Sequence, residues 1–305
     1  MKMITVSPLL ALDPAAMHAY VDSFIHETEP AIVDGLPIEA YHGDTESISK
    51  SGLDAVHESG QHYFGRYLDP DRPPRETKGG QLEGSLAHCA VLEPKEFASR
   101  YVCGPDINRN TKEWKAFEAA VPPEAMAIKR HQFETAWAQA RRVRALPEIA
   151  SALRTGGSER SVYWTDPDTG VRCRCRPDWL TDPIGDSGGV IVVDLKTFRS
   201  AAPSAVQRQI AAKRYHVQAA FYSDGVEAAL GVPVLAFVFA FVEAEFPHAA
   251  NAFLLDDAAL DLGRREYRAD LKRYADCKMS GVWPGYGEGV TVLGLPAWAF
   301  YEGAE

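Results

Sequence analysis

Two carboxylates and one lysine offer the most specific chemistry in this chain. Asp194 and Lys196 close the apolar run Val190-Ile191-Val192-Val193, and Asp178 closes a second strand-like run that begins at Arg172. Alternate residues of a strand share a face. Asp194 and Lys196 therefore point one way, while Val193 and Leu195 point the other way, into a core. By the same parity Asp178 shares a face with Arg172, Arg174 and Arg176. If the two strands pair near their ends, the acids converge. Carboxylates that close repel, so one takes a proton or a cation lies between them. Oxygen donors suit Mg2+, with Mn2+ as a substitute. A lysine beside them can orient or help deprotonate a water and stabilise charge on a phosphate. Together these residues are suited to metal-assisted phosphodiester hydrolysis. The plainer reading is two solvated acids at separate strand ends and a lysine reaching solvent. Asp-x-Lys is a common tripeptide, and its place after four apolar residues is what singles it out.

Other polar residues could complete such a site. Tyr215, Gln218 and Tyr222 fall on one stripe of a helix, where an amide and two phenols could hold a phosphate, a base or a water. A polar helix face with half-buried aromatics is the alternative. His88 follows Gly84 by one helical turn, and glycine there would admit another backbone or a nucleic acid. Lone histidines are more often packed or solvated than ligating. Glu93 and Glu159 have no assignable role.

The elements that must position these residues are legible in outline. Residues 1–40 read as an N-terminal extension, with a helix beginning at Asp13-Pro14 and running to about Glu27. The remainder, 41–305, reads as one domain. A short helix with Leu53 and Val56 follows Ser47 and Ser49, and a second runs from Leu82 to Leu92. Residues 105–125 look irregular, and 132–154 helical with a break at Pro147. Strands are expected at 160–165, 171–180 and 190–196, with the first two joined by the turn Asp166-Pro167-Asp168-Thr169-Gly170. One long helix from Pro203 to Leu230 leads to the apolar strand 234–243. A helical crossover of that kind implies a parallel neighbour. A short strand at 251–255 and a helix at 257–281 follow, and the tail from Trp283 is expected to pack back on the core.

Composition sets limits. The 305 residues are 46% hydrophobic and 24% charged, ordinary for a globular chain. There is no apolar run long enough for a bilayer and no secretory leader, so a cytoplasmic protein without a membrane partner is expected. Five cysteines with no Cys-x-x-Cys argue against a disulfide framework and a zinc ribbon. Cys173 and Cys175 read as small buried hydrophobes. The net charge of −10 is unusual for a nucleic-acid partner. Local field matters more than the total, however, and a metal site adds acids of its own.

Taken in order, Gly84-x-x-x-His88, Asp178, Asp194-x-Lys196 and Gln218-x-x-x-Tyr222 resemble the RecB-like branch of the PD-(D/E)XK nuclease superfamily. The helix Gly84 to Pro94, Tyr41-His42, Ser47-x-Ser49, the Cys-Arg-Pro-Asp strand, Trp283-Pro284-Gly285-Tyr286 and Leu295-Pro296-Ala297-Trp298 are similar to the exodeoxyribonuclease VIII (RecE) C-terminal domain family. The resemblance spans about residues 41 to 300. It implies an α/β (α+β) restriction-endonuclease-like core, a mixed central sheet flanked by helices. It also implies a Mg2+-dependent exonuclease that digests linear double-stranded DNA 5′→3′ in phage-type recombination. A single-strand-annealing partner and a ring-shaped homo-oligomer go with it. Carried over by position, His88, Asp178, Asp194 and the Leu195 carbonyl would be metal ligands. Lys196 would be the catalytic lysine, and Gln218 and Tyr222 would position substrate or water. Trp179 after the first acid, where the family has a small or aliphatic residue, is a departure. The alternatives are an endonuclease or CRISPR-associated relative, and an inactive DNA-end binder. The iron–sulfur type lacks its C-terminal cysteines here, since only Cys277 follows Cys175.

Overall fold

A computed structural model describes residues 3–5, 31–73, 80–185, 188–287, 289–296 and 300. The helix expected from Asp13 to Glu27, and Trp298, lie outside them. The strands are β1 (Met3–Thr5), β2 (Ala31–Asp34), β3 (Tyr101–Gly104), β4 (Met126–Lys129), β5 (Gly157–Ser158), β6 (Ser161–Thr165), β7 (Arg172–Cys175), β8 (Trp179–Leu180), β9 (Val190–Phe198), β10 (Val234–Glu243) and β11 (Ala250–Phe253). The longer helices are α1 (Lys50–Glu58), α2 (Gln81–Leu92), α3 (Arg130–Arg144), α4 (Pro203–Ala212), α5 (Tyr215–Leu230) and α6 (Asp257–Ser280).

The main sheet has the order β11-β10-β9-β8-β5. β9 and β10 run parallel, joined by the α4–α5 crossover, and their other neighbours are antiparallel. The sheet is thus mixed, as expected. β9 is apolar on both faces because both are covered. Val190 and Val192 pack with Phe237, Phe239 and Phe241 against α5 and α6, while Val193 and Leu195 pack with Val238 and Ala240 against α2 and α3. No helix among the described residues is long and apolar enough to cross a membrane.

Three expectations need correction. The run 171–180 is not one strand. β7 pairs with β6 in a second sheet, order β1-β2-β6-β7, and β8 joins the main sheet. The chain changes sheets across Arg176-Pro177-Asp178, where proline has no N–H to extend a ladder. The parity linking Asp178 to the arginines is therefore lost. Arg174 and Arg176 instead lie buried under the Tyr41 ring. The helix expected from Pro203 to Leu230 is two helices, broken at Arg214, which adopts the left-handed conformation at φ 51°. Arg214 is held there by Asp54, Glu266 and Asp270. Residues 105–125, read as irregular, contain a helix at Lys112–Ala119 that buries Trp114 completely. Within the segment 1–40, β2 lies between β1 and β6. The tail packs back only at its start, where Trp283 stacks on Tyr63 and the Pro284 carbonyl accepts from Gln61 N–H, whereas Val290, Val292, Leu293 and Leu295 are exposed.

Gly156 controls how β5 joins the sheet. Its φ is +100°, and a Cβ there would lie 2.1 Å from the Leu180 carbonyl oxygen. Gly156→Ala is therefore expected to destabilise the protein by about 2 kcal/mol or more, read as a fall in denaturation midpoint. An unchanged midpoint would show that β5 is not pinned at this residue.

Candidate active site

Sheet register assembles the site. Ser158 pairs with Trp179, Trp179 with Val193, and Val193 with Val238. One step further along the strands stand Glu159, Asp178, Asp194 and Phe239. Asp194 pairs with Phe239, and Glu159 N–H donates to the Asp178 carbonyl at 3.1 Å. Three acids thus form a row on neighbouring strands. β8 stops pairing with β9 at this point, and the Asp178 carboxylate takes the next amide, accepting from Leu195 N–H at 2.6 Å.

His88 approaches from α2. Its Nε2 lies 3.1 Å from Asp178 Oδ2 and its Nδ1 2.9 Å from the Gly84 carbonyl. Both ring nitrogens face acceptors, which describes an imidazolium. Burial lowers its pKa, but the Asp178 carboxylate more than offsets this, helped by the Gly84 carbonyl, and raises it to about 9. Asp178 answers in the opposite sense. Burial raises it, yet His88, Lys196 and the Leu195 amide bring it below its ordinary value. Among the described residues, a Cβ on Gly84 would meet nothing within 4 Å.

Asp194 is only 1% exposed. Lys196 Nζ pairs with its Oδ1, and Gln218 Nε2 donates to its Oδ2. Burial raises the Asp194 pKa, Lys196 lowers it, and Asp178 raises it again, leaving it at about 6. Burial lowers the Lys196 ammonium, but Asp194 and Asp178 together lift it above its ordinary value, so it stays charged. Its Nζ sits 4.9 Å from the centre of the Tyr215 ring. Burial, with smaller contributions from Tyr41 and Cys175 and then from both acids, keeps the Tyr222 phenol protonated far above neutral pH.

The structure therefore brings together Asp178, Asp194, Lys196, Gln218 and His88, with Leu195 presenting its N–H to Asp178. The ligand set inferred from the resemblance is not arranged as a metal cluster. Among the described residues no three His, Cys, Asp or Glu side chains converge so that they could hold an ion. The physical reason is that each buried carboxylate is matched to a protein cation, Asp178 to His88 and Asp194 to Lys196. The donor chemistry nonetheless fits a hard divalent cation. The row supplies carboxylate oxygens, and buried Asp194 Oδ1 is met by the Lys196 ammonium alone, a charge that a cation could replace.

A pH dependence follows. Burial, with Asp178 next, lifts Glu159 to about 7, while Asp194 lies at about 6. An acid whose folded pKa is raised contributes stability below its unfolded pKa and loses it as pH rises through the folded value. Without divalent cations, the melting temperature is expected to fall between about pH 5 and about pH 8. Added Mg2+ should raise it near pH 8 and hardly at all near pH 5, because protons and cation compete for Asp194. Equal Mg2+ shifts at both pH values would exclude the acid row as the binding site.

Sequence reading gave no role to Glu93 and Glu159. Glu93 is a strut, bound by Arg100 at 2.5 and 3.1 Å and by Ser158 Oγ at 3.0 Å, and so ties α2 to β5. Glu159 is the third acid of the row. It has φ 51°, and the two-residue strand before it is too short to show periodicity. Lys50 was also missed. Its Nζ lies 5.8 Å from the same Tyr215 ring that Lys196 covers.

Known proteins show the family and the fold. Residues 49–295 match the family model described as "PDDEXK-like domain of unknown function (DUF3799)". No curated protein matches the chain. The crystal structure of a protein named "Putative exonuclease" from Eubacterium rectale is similar at TM-score 0.59 and 14% identity, covering 88% of this chain and 99% of that one. That likeness extends to the fold. The structure of SSO0001 matches at TM-score 0.27 and 16% identity, over 46% of this chain and 65% of that one, too slight to bear on the fold.

Proposed function

The chain belongs to the PDDEXK-like family DUF3799, and from that premise we propose that it is a Mg2+-dependent exonuclease acting 5′→3′ on linear double-stranded DNA. One observation carries the reading. Asp178, Asp194, Lys196 and Gln218 come from three separate elements and meet in one buried cluster beside His88 of α2. A domain that only held DNA ends would have no use for carboxylates placed against a phosphate, since they oppose binding.

Asp178, Asp194 and the Leu195 carbonyl would hold the cation, with His88 joining once Nε2 gives up its proton. When bound, such an ion supplies Lewis-acid charge at the scissile phosphate. Lys196 keeps an ammonium beside that phosphate and stabilises charge that develops there. Gln218 orients the Asp194 carboxylate, and Tyr222 offers a phenolic donor to substrate or water. Glu159 lies beside Asp178 and is positioned to accept a proton near neutral pH.

A role in phage-type recombination, with a single-strand-annealing protein and a ring of identical subunits, rests on the resemblance to the RecE family. The test uses duplexes labelled at the 5′ or 3′ end, offered linear beside circular, with Mg2+ or EDTA. Loss of label from 5′ ends of linear duplex in Mg2+ alone is expected. Cutting of the circle would indicate an endonuclease, and binding in EDTA without turnover in Mg2+ an inactive end binder.

A further inference from the structure

A cavity of about 210 Å3 opens next to the acid row. Its lining includes Lys50, Arg174, Arg176, Tyr222 and Glu159, the last bonded through its N–H to the Asp178 carbonyl. Glu159 therefore marks the end nearest the catalytic cluster. Lys50 marks the same end from the other side, since Lys50 and Lys196 share the Tyr215 ring. The volume is below the ~300–1,000 Å3 of sites for drug-sized ligands and suits one small group.

The wall chemistry calls for an anion. Arg176 is 8% exposed and bonds only neutral oxygens, Ser161 Oγ at 2.9 and 2.6 Å and the Leu36 carbonyl at 2.8 Å. Among the described residues it forms no ion pair. Arg174 is 4% exposed and pairs with Asp44 at 3.0 Å through Nη1, yet its Nε is buried without a hydrogen-bond partner. The Tyr41 ring lies 4.4 Å from the Arg176 guanidinium carbon and 4.9 Å from that of Arg174, fixing both in place. The first turn of the nine-residue helix α1 also faces the cavity through Ser49, Lys50 and Ser51. Ser49 caps the Gly52 amide, and the positive end of the helix adds to the field. The Glu159 carboxylate in the same wall acts on Arg176 from beyond ion-pair distance, and a buried guanidinium so incompletely paired is costly unless a ligand supplies the missing contact.

We propose that this cavity binds one phosphate group of the DNA strand being cut, with Arg176, Arg174 Nε and the first turn of α1 as its donors. The proposal rests on the nuclease reading for the identity of the ligand and on the cavity alone for its charge. The phosphate has two sources, the terminal 5′ monoester or an internal diester next to the scissile bond.

The test is binding of the full-length protein in EDTA to two duplexes identical except for a 5′-phosphate or a 5′-hydroxyl. Inorganic phosphate serves as competitor, and 31P NMR reads its binding alone. Ser51→Glu, at an exposed position, places a carboxylate at the mouth without disturbing the core, and Arg176→Lys keeps a charge but loses the fork. Thermal melts confirm that both variants fold. If the terminal group occupies the site, the phosphorylated duplex binds about ten-fold tighter and both variants erase that preference. If an internal phosphate occupies it, both duplexes bind alike and both weaken about ten-fold in the variants. In either case inorganic phosphate displaces DNA from the parent. Folded variants that bind both duplexes like the parent, with no effect of inorganic phosphate, would overturn the proposal. Phosphate binding seen by 31P NMR in the parent and lost in Ser51→Glu would uphold the pocket even if no duplex were hydrolysed, which separates its failure from that of the nuclease reading.

Discussion

Replacing Asp194 by alanine is expected to lower Mg2+-dependent DNA hydrolysis by about 10³-fold or more. Removing charge stabilisation worth several kcal/mol produces a loss of that size. The argument is structural. Asp194 is the most buried acid of the row, it pairs with Lys196, and Gln218 holds its second oxygen. Asp194→Asn keeps the shape and isolates the charge. Near about pH 8 the asparagine variant is expected to melt no lower than the parent, because an ionised carboxylate in that position costs the parent folding free energy. Its activity should nonetheless be lost. Cleavage retained in a clean preparation of either variant would place the chemistry elsewhere.

Lys196→Met should separate catalysis from cation binding. A loss of about 10²–10⁴-fold in hydrolysis is expected if the ammonium stabilises charge or assists proton transfer at the phosphate. The cation should bind no more weakly, since Nζ is the group that competes with it for Asp194. The measurement pairs single-turnover hydrolysis with the Mg2+-induced shift in melting temperature. If both fall together, Lys196 serves only to shape the Asp194 carboxylate. The methionine stem preserves contact with Tyr215, so packing is a small part of any change.

The core of this site is readable from the chain because β9 announces itself. Val190 to Val193 form an apolar run that ends in alternation, and strand parity then puts Asp194 and Lys196 on one side. The parallel β9–β10 pairing is readable too, since a helical crossover leaves little choice. The sheet change at Pro177 is not. Residues 171–180 have strand propensity throughout, and only tertiary packing decides that Arg174 and Arg176 go under Tyr41 while Trp179 joins β9. The break at Arg214 is hidden for a similar reason. Nothing local favours a left-handed arginine, and the conformation is held by three acids from α1 and α6. Glu159 escapes notice because its strand is too short to show a period.

The bond between the Asp178 carboxylate and the Leu195 amide has a consequence beyond catalysis. Past Trp179 the strand segment 194–198 pairs with no strand on that flank among the described residues, and its backbone would present a bare polar row. Such a border invites another molecule to add its own strand, the usual first step of unwanted self-association. An acid that caps the next amide there also guards that border against aggregation, so replacing Asp178 is expected to promote self-association as well as to disturb the site.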